Sequence, residues 1–137
     1  MSATDIVQAF EGCRLTAYQD VRGIWTIGYG HTEGVYEGMT CTQEQADAWL
    51  ATDLATAQSE LLAYSPGPFA PGAEDALTSF VFNLGIGNYR TSTLRLFVNS
   101  GQWAQVKSEL LKWDHSGGQV IAGLYRRRQA EAAMIQA

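Results

Sequence analysis

The chain has 137 residues, of which 46% are hydrophobic and 17% charged, the balance of one globular domain with a single core rather than of a disordered or fibrous segment. No run of about eighteen apolar residues occurs, and the start MSATDIVQAF lacks a basic flank followed by a long apolar stretch, so neither a membrane span nor a signal peptide is expected. The net charge of −5 divides unevenly: residues 1–75 carry −9 and residues 76–137 carry +4. The basic half lacks aromatic interleaving or a recognition motif, which argues against nucleic acid as a partner, and Arg126, Arg127 and Arg128 read as a solvated helical face.

In chain order, Ser2 precedes Ala3, Ile6, Val7 and Phe10 at helical spacing, so a first helix of about three turns is expected to end at Glu11, with Gly12 as the stop. From Arg14 to about Thr40, glycines punctuate β-branched and aromatic residues in TAYQD, IWTIGYG and GVYEG, the texture of a small antiparallel sheet with tight turns. Thr42 opens a T-x-x-Q capping box with Gln45, and Ala46, Trp49, Leu50, Leu54, Ala57, Leu61 and Leu62 follow on a long amphipathic helix. The run SPGPFAPG holds all three prolines and reads as a break and a hinge between two lobes. Helical patterns resume in AEDALTSFVFNLG, apolar on nearly every side and so central, then in TSTLRLFVNSG, QWAQVKSELLKW and VIAGLYRRRQAEAAMIQ, with turns at Gly101 and Gly117-Gly118. The class is α+β: residues 1–137 as one domain, with a β-rich lobe at 12–41, a linking helix at 42–66, a helical lobe at 70–137 and a cleft between the lobes.

Cys13 and Cys41 have no His or Cys nearby at zinc-site spacing, so neither a metal nor a cofactor is implied. They read either as a disulfide or as two small free side chains.

Glu11 and Asp20 form a carboxyl pair nine residues apart. At the end of a helix, the dipole's negative end and exposed carbonyls favour the protonated form of Glu11, whereas Asp20, near Arg22 and Gly23, has a setting that keeps it ionised. One protonated and one ionised carboxyl is what hydrolysis of a glycosidic bond requires. Thr26 adds a hydroxyl able to hold a water beside Asp20. Fourteen carboxylates offer many such pairs, however, and most charged residues are simply solvated.

The string EGCRLTAYQDVRGIWTIGYGHT at 11–32 selects among them, because it closely resembles the signature of the phage-type lysozymes, the endolysin family of glycoside hydrolases. Weaker similarity continues through DALTSFVFNLG at 75–85, RTSTL at 90–94, LKW at 111–113 and GLYRRRQAE at 123–131. The resemblance implies a lysozyme-like fold, Glu11 as general acid and Asp20 and Thr26 as holders of the attacking water, with inversion. It implies a sugar-binding cleft at Gly30, His31 and Thr32, with Phe82 and Thr93, and an arginine among 126–128 paired with Glu11. The partner implied is the peptidoglycan glycan strand, cut between N-acetylmuramic acid and N-acetylglucosamine by a monomer. Its place of action is the periplasm or cell wall, after the host cytoplasm for a phage endolysin.

The same residues have structural readings too. His31 serves as readily to fix the hairpin, Phe82 as core, Gly28 and Gly30 as conformational necessities, and Tyr18, Trp25 and Tyr29 as strand packing rather than sugar stacking. At the level of function, two alternatives stand beside hydrolysis of peptidoglycan: a module that keeps the fold for binding or signalling, and an enzyme acting on chitin.

Overall fold

Ser2 accepts the amide of Asp5 at 3.1 Å while the Asp5 carboxylate accepts the amide of Ser2 at 2.9 Å, a reciprocal cap that starts helix α1 (Ala3–Glu11). The computed structural model describes residues 1–116 and 118–137. After α1 come β1 (Arg14–Gln19), β2 (Trp25–Gly28), α2 (Gln43–Tyr64), α3 (Ala73–Leu84), α4 (Ile86–Arg90), α5 (Thr93–Asn99), α6 (Trp103–Leu110), the two-residue strands β3 (His115–Ser116) and β4 (Gln119–Val120), and α7 (Ala122–Met134).

β1 and β2 form an antiparallel hairpin with Tyr18 opposite Thr26 and Gln19 opposite Trp25. GVYEG does not extend the sheet as expected. The stretch 32–39 bonds within successive turns, Val35 N to Thr32 O and Met39 N to Tyr36 O, and the chain rejoins β1 at a bridge between Thr16 and Thr40, where Ala17 N donates to Met39 O and Cys41 N to Leu15 O.

α2 is the element that joins the lobes. Its buried residues Ala46, Leu50, Leu54, Ala57 and Leu61 recur every three or four positions, which places them on one stripe. Leu50 and Leu54 pack with Ala3 and Val7 of α1, and Ala57 and Leu61 enter the main core with Leu77, Phe80, Leu94, Val106 and Leu110. The proline-rich run is therefore not the hinge. It turns the chain from α2 into α3 inside the helical lobe: Phe69 and Ala70 pack on that core, and the Ser65 hydroxyl meets the Tyr89 hydroxyl at 2.6 Å.

α3 is central as expected, touching α1, α2, α4 and α7. The five-residue α4 was not legible in the sequence, because so short a segment shows no periodicity. It is held by tertiary contact, with Tyr89 fully buried edge-on to Phe80 at 6.2 Å. The β3–β4 hairpin was also not anticipated; Gly117 of the expected turn lies outside the described residues. Among the described residues no helix is long and apolar enough to cross a membrane.

α7 corrects the reading of the arginines. Only Arg126 is exposed, whereas Arg127 and Arg128 are 3% and 0% exposed and are buried together with Glu131. The end of α7 is locked against Gly72, where a Cβ would stand 1.8 Å from Met134 O. Gly72→Ala, which meets that clash and a φ of +81°, is expected to cost about 2–4 kcal/mol. Gly101→Ala, with positive φ but open space, is expected to cost about 1 kcal/mol; paired denaturant titrations check the difference.

Candidate active site between the lobes

Glu11 closes α1, and packing fixes where it lands. Ile6 and Val7, both fully buried, set the rotation of the helix, and Gly12 ends it one residue later. The Glu11 side chain is one-quarter exposed, and its Oε1 accepts a hydrogen bond from Arg127 Nη1 at 2.9 Å. Of the three arginines considered from sequence, Arg127 is thus the partner.

The backbone at Gly30, with φ +91°, passes beside the same carboxyl. The position a Cβ would take lies 3.6 Å from Glu11 Oε2 and 4.0 Å from Phe82 Cε1, so a larger side chain would fill the space next to the Glu11 carboxyl. Glu11 stands between two open grooves. One, of about 470 Å³, is lined by Gly30, His31, Thr32, Glu60, Phe82 and Ile86 among others; the second, of about 520 Å³, has Phe10, Glu11, Ile121, Leu124, Arg126 and Arg127 on its walls.

Asp20 occupies the tip of the β1–β2 hairpin. Its Oδ1 accepts the amides of Arg22 at 2.8 Å and Ile24 at 2.9 Å, a turn built by the side chain itself. The Ile24 amide holds the carboxyl below its ordinary value, the Arg22 amide and charge add to this, and slight burial works against them. Thr26 is buried and donates its hydroxyl to Ile24 O at 2.9 Å, which leaves its lone pairs as acceptors. Tyr18, opposite Thr26 in the hairpin, has Arg14 stacked 4.3 Å from its ring centre. Burial pushes its phenol up, followed by the charge of Glu11 and, more weakly, that of Asp20, while Arg14 acts in the other direction. Tyr18 therefore lies in the field of both carboxyls, at the point where β1 passes the end of α1.

Comparison with known proteins gives the family. The family model for phage lysozyme matches residues 8–131. The chain belongs to the phage lysozyme family. As such it is a glycoside hydrolase of the lysozyme type. It is 38% identical over 135 residues to the endolysin of Acyrthosiphon pisum secondary endosymbiont phage 1, covering 96% of this chain and 92% of that one. It is 36% identical over 122 residues to the SAR-endolysin of Enterobacteria phage PA-2, covering 88% and 74%. Among solved structures, the muramidase domain of SpmX from Asticaccaulis excentricus superposes with a TM-score of 0.90 at 34% identity, covering 98% of this chain and 95% of that one.

In this lysozyme, His31 has the surroundings of an anchor. Its Nδ1 lies 2.8 Å from Asp53 Oδ2 on α2, and its ring stacks on Trp49 at 4.6 Å with the planes 2° apart. The main chain of His31 exchanges two hydrogen bonds with Ile27, so the turn carrying Gly30 is clamped to α2. Phe82 is half-buried: it packs against both core clusters and also lines the groove beside Thr32. Thr93 is not brought to these residues. It is exposed at the start of α5 and lines a separate groove with Glu109, Lys112, Trp113 and His115. Cys13 and Cys41 are free thiols, each partly buried; burial and the neighbouring Cys13 push the Cys41 thiol up.

Sequence reasoning missed Asp53 and Trp49 as partners of His31, and it missed Glu131 and Ser79 behind Arg127. The signal for Glu131 was present in R-R-x-x-E, which on a helix puts both arginines one turn from one carboxylate.

Two expectations follow. In a double-mutant cycle, His31→Asn and Asp53→Asn are expected to show a coupling of about 1 kcal/mol, measured by denaturant unfolding. Because the folded state depresses the Asp20 carboxyl, its contribution to stability is present above the unfolded value of about 3.9 and lost as pH falls through the folded value. Carbon-13 NMR is expected to show Asp20 titrating below about 3.9, and Asp20→Asn to remove that part of the acid dependence.

Proposed function

We propose that this chain is an active muramidase that hydrolyses the β-1,4 bond between N-acetylmuramic acid and N-acetylglucosamine in bacterial peptidoglycan, with inversion at the anomeric carbon. The observation that carries the reading is the contrast between two carboxyls that share Tyr18 as a neighbour. Asp20 is held ionised by two amides, while Glu11 sits at a helix end between two grooves. Glu11 gives its proton to the leaving glycosidic oxygen. The ionised Asp20 accepts a hydrogen bond from one hydrogen of a water, and Thr26, its own hydrogen committed to Ile24 O, accepts one from the other. A water held in this way directs a lone pair at the anomeric carbon. The departing sugar takes the proton of Glu11 and Asp20 takes that of the water; once the products leave, Asp20 gives its proton to solvent and Glu11 takes one from solvent, so each carboxyl keeps its role in the next turnover.

The glycan strand lies along the grooves on either side of Glu11. Gly30, Thr32 and Phe82 line its path, Tyr18 meets it from the hairpin near the two carboxyls, His31 holds the turn that carries Gly30, and Thr93 beside Trp113 offers a hydroxyl and a ring to a longer strand. The enzyme works as a monomer at the cell wall, from the periplasmic side. One feature favours a second reading, a module that binds without cutting: Glu33, Asp53 and Glu60 all face the first groove, an unfavourable field for an anionic polymer.

Clearing of chloroform-treated Gram-negative cells separates the two. Wild type is expected to clear them, and Glu11→Gln to lose about 10²–10⁴-fold in rate. Equal clearing by both proteins sinks the role of Glu11, and no clearing by wild type leaves the binding module. Chitin oligomers offered beside peptidoglycan test the substrate. On peptidoglycan fragments, proton NMR is expected to show the α-anomer first; the β-anomer first overturns inversion.

A further inference from the structure

An acid that must be protonated is poorly served by a guanidinium 2.9 Å away, since that charge favours the carboxylate. The structure shows how this charge is shared. Glu131, fully buried one turn further along α7, has its Oε2 3.5 Å from Arg127 Nε and 3.1 Å from Arg128 Nη2, and its Oε1 2.8 Å from Arg128 Nε. The Ser79 hydroxyl of α3 donates to Glu131 Oε2 at 2.6 Å and accepts from Arg127 Nη2 at 3.3 Å, and Ser79 O accepts from the same nitrogen at 3.4 Å. Arg128 is also held by Asn83 Oδ1 at 2.8 Å and lies over the Phe80 ring.

The cluster is tightly coupled and nearly excluded from water. Arg127 Nε, Arg128 Nε and Nη1, and Glu131 Oε1 make no hydrogen bond, so the 2.8 Å approach of Arg128 Nε to Oε1 is attraction between charges off the N–H direction. Burial pushes the Glu131 carboxyl up and the Arg128 guanidinium down, and each charge counters the shift of the other. With Glu131 ionised, two cations face two carboxylates, Glu131 and Glu11. With Glu131 neutral, Arg127 and Arg128 would be left to Glu11 alone, a buried cation without its partner.

We propose that Glu131 is a positioning residue for the acid: it draws the Arg127 guanidinium back toward α3 and offsets its charge, so that Arg127 orients Glu11 without locking it as a carboxylate. The inference rests on the assignment of Glu11 as general acid. The other groups around Glu11 are Tyr18 of β1, Asp20 beyond it on the hairpin, Arg126 and Arg127 of α7, and the uncharged Asn83 of α3; none of them offsets Arg127 from within the fold.

The test follows the Glu11 carboxyl directly, by carbon-13 NMR titration of the full chain as wild type, Glu131→Gln, Glu131→Asp and Ser79→Ala. Removing the charge of Glu131 is expected to lower the pH midpoint of Glu11 by about one unit, and Asp, which keeps the charge, to restore most of it. The high-pH limb of wall hydrolysis moves down by the same amount while KM is unchanged. Ser79→Ala, which removes the hydroxyl bonds to Glu131 Oε2 and Arg127 Nη2 and leaves the bond from Nη2 to the Ser79 main-chain carbonyl, is expected to shift the midpoint in the same direction by a smaller step. A folded Glu131→Gln protein with an unmoved midpoint overturns the proposal, as does a shift that Asp fails to reverse. Should Glu131→Gln not fold, an unmoved midpoint in Ser79→Ala overturns it. The NMR readout needs no turnover, so a shifted Glu11 in a protein that cleaves nothing supports the positioning role and removes the hydrolytic assignment instead.

Discussion

The ion cluster of Arg127, Arg128 and Glu131 on α7 is the interaction on which the rest of the structure depends. It joins three helices at one point: α7 supplies the charges, α3 supplies Ser79 and Asn83, and the end of α1 supplies Glu11. Charged groups removed from water this completely are tolerated only in company, and taking away one partner typically costs about 3–5 kcal/mol because the other charge is stranded. An apolar seam would be indifferent to small slips. A set of guanidiniums and carboxylates within 2.8–3.5 Å of one another is not, and so the last helix is registered against the first. The same contact that secures the fold delivers Arg127 to Glu11.

Around that fixed point, the two carboxyls are placed by unrelated means. Glu11 is placed by helix packing and a long-range ion pair, and its surroundings belong to four separate parts of the chain. Asp20 is placed by its own turn, whose amides come from residues two and four positions on. A long-range device can be tuned by distant residues, and a local one cannot. Glu11 is thus under tertiary control, and Asp20 is left to its immediate neighbours.

The turn beside Glu11 completes the site by a third device. Stacking of His31 on Trp49 and its pairing with Asp53 tie residues 27–31 to α2, the helix whose other end is built into the main core. The hairpin lobe and the helical lobe are therefore held by one continuous rod, not by a flexible link at the prolines. The oppositely charged halves also look different once folded: two of the seven cations after residue 75 point inward to the cluster, while the carboxylates Glu33, Asp53 and Glu60 border the groove.

What the sequence determined by itself was largely local. The Ser2 and Thr42 caps, the stop at Gly12, the stripe along α2 and the Asp20 turn depend on groups within a few residues, and the string from Glu11 to Thr32 carried the family in its side chains. Two segments were not legible, for different reasons: α4 exists because Tyr89 has a pocket made by distant residues, whereas the stretch 32–39 bends because local turn hydrogen bonds win over the sheet pairing that its β-branched and aromatic residues suggest. The tertiary structure alone decided which arginine meets Glu11, that Arg128 is buried, that His31 belongs to Asp53, and that Thr93 lies in a groove of its own. A one-residue step along α7 rotates a side chain by about 100°, so the three adjacent arginines differ only in what faces them, and that is set by the packing of α1 and α3.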